Sequence, residues 1–106
     1  MKIEEQISNL LGLATRARKT ITGEELVVKE IRSQKAKLVV LSNDASKNTA
    51  KKINDKCASF NVELHVFGDR HDLGHATGKE ARVAIAIMDD GFAKKLSGLL
   101  NEYNRG

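Results

Sequence analysis

The sequence predicts an α/β protein, a single domain folded as a three-layer α/β/α sandwich around a small mixed sheet. Helical stripes alternate along the chain with short, nearly continuous runs of Val, Ile and Leu. No repeat, linker or low-complexity segment separates them, and the 106 residues match the common size of one domain. The domain is therefore expected to span residues 1–106.

Ile3, Ile7, Leu10, Leu11 and Ala14 recur at the spacing of one helical stripe, which places the first helix over about residues 3 to 16. A second helix is expected over about 24 to 33. Leu38 to Leu41 and Val83 to Met88 are apolar on successive residues, as in central strands covered on both faces. Between them, Ala50, Ile53 and Cys57 mark a helix over about 46 to 59, opened by Asp44 or Ser46 as N-cap. The strand Val62 to Phe67 follows it. Phe92, Leu96, Leu99, Leu100 and Tyr103 give the last helix its stripe. With no proline in the chain, Gly23, Gly68, Gly74, Gly78 and Gly91 are expected to make the breaks.

Composition narrows the function classes. One cysteine excludes an intrachain disulfide and a Cys-based zinc site, and points to a reducing compartment. Cys57 falls on an apolar helix stripe, where it is expected to be inert core. The N-terminus has no signal-peptide pattern, and no stretch approaches a membrane span, so a soluble cytoplasmic protein without membrane attachment is expected. The net charge of +4 favours an anionic partner, although a solvated lysine face produces the same excess.

Two segments could carry chemistry. In the first, Arg16, Arg18 and Lys19 precede the helix that starts near Gly23, and helix N-termini attract phosphate. Thr22 with Glu25 three residues later also makes a capping-box pattern. Lys29 lies one turn beyond Glu25, where it either pairs with it on the surface or joins a binding face. The second segment, Gly68 to Lys79, is rich in glycine and polar groups, as functional loops are.

His71 and His75 lack a third fixed ligand, so no metal is expected. The stretch Gly74 to Glu80 is one residue short of a P-loop and has Glu80 where Ser or Thr must hold magnesium, so nucleotide hydrolysis is rejected. No triad spacing appears, and neither an enzyme nor a cofactor is expected. The lysines at 47, 51, 52 and 56 read as a solvated helix face. Aromatics at 4%, mostly at core positions, leave no stacking platform for single strands.

The patterns Leu11-Gly12-Leu13-Ala14, Arg16-Ala17-Arg18-Lys19, Gly23-Glu24 leading to Lys29, Leu38-Val39-Val40-Leu41 with Asp44-Ala45-Ser46, and Leu73-Gly74 with Gly78-Lys79 occur in this order. Over nearly the whole chain they resemble the kink-turn-binding ribosomal protein family named L-seven-Ae, particularly its small bacterial YlxQ-like branch. The resemblance implies a non-catalytic monomer of the cytoplasm. Its partner would be structured RNA, a kink-turn or similarly bent duplex, with ribosomal RNA among the candidates and DNA not expected. The helix starting at Gly23 would enter the widened groove at the bend, and the segment Leu73 to Arg82 would cover an extruded nucleotide.

On that basis Arg16, Arg18, Lys19, Lys79 and Arg82 are expected to anchor phosphates, and Gly23 to allow close backbone approach. Glu24, Glu25 and Lys29 would face base edges, with Leu73, Gly74 and Glu80 in the covering loop. Archaeal and eukaryotic members read Gly-x-Asn-Glu-x-x-Lys, whereas this chain has Glu25 and Leu26 at the Asn and Glu positions. Glu25 can accept hydrogen bonds from base amino groups and Leu26 cannot. That departure leaves room for an alternative, a protein-interaction scaffold on the same fold.

Overall fold

The computed structural model describes residues 1–105. Among them the chain forms α1 (Ile3–Arg16), β1 (Thr20–Thr22), α2 (Glu24–Arg32), β2 (Leu38–Leu41), α3 (Lys47–Phe60), β3 (Glu63–Val66), α4 (Arg70–Ala76), β4 (Ala84–Ile87) and α5 (Asp90–Arg105). The strand order is β1-β4-β2-β3. β4 runs antiparallel to both β1 and β2, and β2 runs parallel to β3, so the sheet is mixed as the sequence predicts.

The period-2 pleat sends alternate residues of the two central strands into different cores. Leu38, Val40, Ile85 and Ile87 face α1, α4 and α5 through Ile7, Leu11, Leu73, Leu96 and Leu100. Val39, Leu41, Ala84 and Ala86 face α2 and α3 through Val27, Ile31, Ile53 and Cys57. Strand β4 reads Ala-Ile-Ala-Ile, with bulk on one side and methyl groups on the other. The alanine side lets α2 lie close over the sheet. Cys57 is core, and burial pushes its thiol up to about 11, which keeps it protonated and unreactive at neutral pH.

Ser46, not Asp44, caps α3: its Oγ accepts from the Thr49 N–H at 3.1 Å. Ser46→Ala should therefore cost about 1 kcal/mol, read as a lower urea midpoint with an unchanged slope.

Three expectations give way to the structure. The polar segment after β3 is not all loop, because Asp69 accepts from the N–H groups of His71 and Asp72, both at 2.9 Å, and Asp72 accepts from the Asp69 N–H at 2.9 Å. This reciprocal box starts α4. Gly74 and Gly91 lie inside helices and break nothing. The Thr22–Glu25 box does not form, since Thr22 is held in β1 opposite Ile85. Gly23 becomes the N-cap, and α2 starts without a side-chain cap.

Candidate nucleic-acid interface

Gly23 ends β1 by donating its N–H to the Ala84 carbonyl at 3.2 Å, then turns into α2 with φ of 101°. An L side chain is strained at that φ, although an added Cβ would meet no atom within 4 Å. The conformation, not crowding, demands glycine. The turn leaves the first N–H groups of α2 without a side-chain cap.

The segment after α4 is folded over against this helix start. The Arg82 N–H donates to the Arg70 carbonyl at 2.9 Å. The Arg82 guanidinium donates through Nε to Thr22 Oγ1 at 3.2 Å and through an Nη to the Ala81 carbonyl at 2.8 Å. The result is an open groove of about 530 Å³ lined by Thr22, Gly23, Leu26, Arg70, Lys79 and Arg82, among others. Two stretches that the sequence offers as separate candidates thus share one surface, and three of its lining residues are cationic.

Arg70 is the groove residue that sequence reasoning missed. Its N–H donates to Asp44 Oδ1 at 3.0 Å, its Nε to Asp44 Oδ2 at 3.1 Å, and an Nη to the Asp44 carbonyl at 2.8 Å. Asp44 follows β2 and Arg70 follows β3. Because those strands are parallel, their C-terminal ends bring together residues 26 apart in sequence. Only that pairing, not any local pattern, could have found the contact.

The remaining candidates divide. Leu73 is fully buried and Gly74 is buried, so neither offers a side chain to a ligand: they hold the loop from inside. Lys79 and Glu80 are exposed beside the groove. Glu24 turns away toward α3, where it accepts from the Thr49 hydroxyl and from Lys52 Nζ. The Thr49 hydrogen bond, with the Lys52 bond and charge behind it, holds its carboxyl below the ordinary range. Glu25 and Lys29 are exposed on α2 without an ion pair between them, and Leu26 beside them is 54% exposed.

The basic turn lies elsewhere. Lys19 accepts at its carbonyl from the Met88 N–H at 2.8 Å, at the far end of β4 from Gly23. Arg16 lies along α1 in a separate hollow with Gly12, Leu13, His75 and Ala76. β1 therefore sets the two halves of the stretch from Arg16 to Lys29 at opposite ends of its pairing with β4.

Among the described residues no group of three His, Cys, Asp or Glu side chains is placed to hold a metal ion. No described helix is long and apolar enough to cross a membrane.

The sequence model of the ribosomal protein L7Ae/L30e/S12e/Gadd45 family matches residues 5–97. The chain belongs to this family. Within the L7Ae family it is 56% identical over 92 residues to the RNA-binding protein YlxQ of Bacillus subtilis, covering 87% of this chain and 92% of that one. The YlxQ of Enterococcus faecium is 44% identical over 96 residues, with 91% and 92% covered. These two matches bear out the resemblance to the YlxQ-like branch. The large ribosomal subunit protein eL30 of Lupinus luteus is more distant, 34% identical over 92 residues with 85% and 82% covered.

Among solved structures, a protein of unknown function from Bacillus halodurans superposes with a TM-score of 0.88 at 47% identity, over 91% of this chain and 97% of that one. The 15.5kD RNA binding protein of Giardia lamblia has a TM-score of 0.82 at 17% identity, over 99% and 90%, and shows the shared α/β fold.

Proposed function

We propose that this chain is a non-catalytic RNA-binding protein of the cytoplasm that recognises a kink-turn or similarly bent structured RNA, ribosomal RNA among its targets. The observation that carries this is the groove itself, where an uncapped helix start at Gly23 faces Arg70, Lys79 and Arg82. The names of the YlxQ and eL30 relatives agree with it.

The groove suits a bent backbone. Free N–H groups of α2 and a glycine without Cβ admit a close approach by phosphate or base edges on one wall. Fixed guanidinium groups on the other wall bind phosphate in a fork geometry. Exposed Glu25 and Lys29 lie along the same helix, within reach of base amino and acceptor groups. A straight duplex meets one wall at a time, whereas a bent one meets both, so shape contributes to selection.

Binding to a kink-turn RNA, measured against a straight duplex of equal length across a salt series, tests the proposal. Tighter, salt-dependent binding to the bent RNA is expected; equal affinity for the two would sink it. One observation favours the alternative of a protein-interaction scaffold: Leu26 is half exposed at the groove, an apolar contact where the archaeal and eukaryotic pattern has Glu. Capture of a protein partner from nuclease-treated lysate, with no RNA recovered from untreated lysate, would favour that reading.

A further inference from the structure

The basic turn that the groove does not absorb has its own surroundings. Antiparallel pairing carries the register one step beyond the strands, with the Met88 N–H donating to the Lys19 carbonyl and the Lys37 N–H to the Ile87 carbonyl, both at 2.8 Å. Lys19 and Lys37 therefore flank the end of β4, about 10 Å apart across two inter-strand spacings. Residues opposite one another across a sheet share a face. Leu38 faces the α1–α5 core while Met88 packs on the α2–α3 core, so this lysine pair falls on the α2 side.

The loop leaving α2 brings Lys35 to the same end, its N–H and that of Ala36 both donating to the Glu30 carbonyl at 3.1 Å. Arg18 completes the group from the tight turn after α1, with φ of 61°. That left-handed position favours glycine or asparagine, so arginine is not there for the sake of the turn.

All four side chains are exposed, and none has an ion-pair partner among the described residues. Two carboxylates of the adjoining segments are engaged, Glu30 accepting from the Ser33 hydroxyl at 3.2 Å and Asp89 from the Phe92 N–H at 2.9 Å, while Asp90 is exposed. The four cations lie at the C-terminal end of α2 and the groove at its N-terminal end. Nine residues of helix separate the two by about 13 Å, less than the width of an RNA duplex.

We infer that Arg18, Lys19, Lys35 and Lys37 form a second RNA-contacting pole, one that holds the phosphate backbone of a duplex without reading sequence. The choice of RNA as the polyanion rests on the function proposed above. The pole gives the protein contacts at both ends of α2, so that the groove selects shape and the pole adds sequence-independent attraction.

The test is binding of a plain RNA duplex of about two helical turns across a salt series, where each phosphate contact contributes about 0.9 to the log–log slope. Arg18→Gln, Lys19→Gln, Lys35→Gln and Lys37→Gln together should flatten that slope by about 3 and weaken low-salt binding at least about tenfold. The pair K19Q/K37Q should show about half the change in slope, and it keeps the test open if the fourfold variant folds poorly. Lys47→Gln, on the exposed face of α3 away from both surfaces, should leave the plain-duplex slope nearly as it was.

A wild-type slope and affinity in the fourfold and paired variants would overturn the pole, as would a wild-type protein that does not bind the duplex. Equal wild-type affinity for bent and straight RNA would count against the groove's function alone.

Discussion

Gly74→Ala is expected to be the most destabilising small substitution in the chain. A Cβ at Gly74 would stand 1.5 Å from the Glu80 carbonyl oxygen and 2.5 Å from its carbonyl carbon. These are backbone atoms, which cannot swing aside as a side-chain tip can. To restore van der Waals contact, α4 or residues 78–82 must shift by about 2 Å. Neither is free to move: Leu73 is fully buried in the core, and the Lys79 N–H donates to the Gly74 carbonyl at 2.8 Å.

Overpacking of this kind costs about 3 kcal/mol or more, measured as a loss of unfolding free energy in urea. RNA affinity should fall with it, because the displaced segment carries Lys79 and Arg82. Gly98→Ala is the control. Gly98 lies in α5 with nothing within 4 Å of an added Cβ, and the substitution should stabilise by about 0.5–1 kcal/mol without touching RNA binding.

Gly74 also shows what the sequence conceals. A glycine between two histidines in a polar stretch reads as a break, yet here it is the point where helix and loop backbones touch. Where periodicity is strong, sequence and structure agree closely: α1 begins at Ile3 and ends at Arg16, and β2 spans Leu38–Leu41, as expected. β1 escapes because three residues, Thr-Ile-Thr, carry no periodic signal and become a strand only by pairing with β4. That short strand is also what divides the basic turn from Gly23, so charges adjacent in sequence serve different surfaces. The converse holds for Asp44 and Arg70, which are distant in sequence and joined by the parallel pairing of β2 and β3.

Arg70→Ala should reduce affinity for bent RNA by roughly 10- to 100-fold, the loss of one or two charge-assisted hydrogen bonds. Arg70→Lys should rescue little, since an ammonium cannot bind Asp44 through a planar fork and face the groove at once. The carboxylate is the positioning partner, and its own ionisation provides a readout that a role in general stability would not move. Partial desolvation works to raise the Asp44 pKa, but the neighbouring Ser42 hydroxyl, and after it the hydrogen bonds and charge of Arg70, overcome it and leave it lowered.

A depressed carboxyl pKa contributes stability that is present above the unfolded value, near 4, and lost as pH falls through the folded one. Asp44→Asn should therefore be less stable than wild type at pH 7, with the difference shrinking as pH falls below about 4 and gone once it passes the depressed folded value, where the wild-type carboxyl is neutral too. At neutral pH the same variant should lose RNA affinity in step with Arg70→Ala, because a guanidinium released from Asp44 must be ordered again on binding. A stability difference that stays constant from pH 7 to about pH 3 would mean that charge at Asp44 does not hold the clasp. Unchanged RNA affinity in Asp44→Asn, alongside a defect in Arg70→Ala, would mean that Arg70 finds its place in the groove without it.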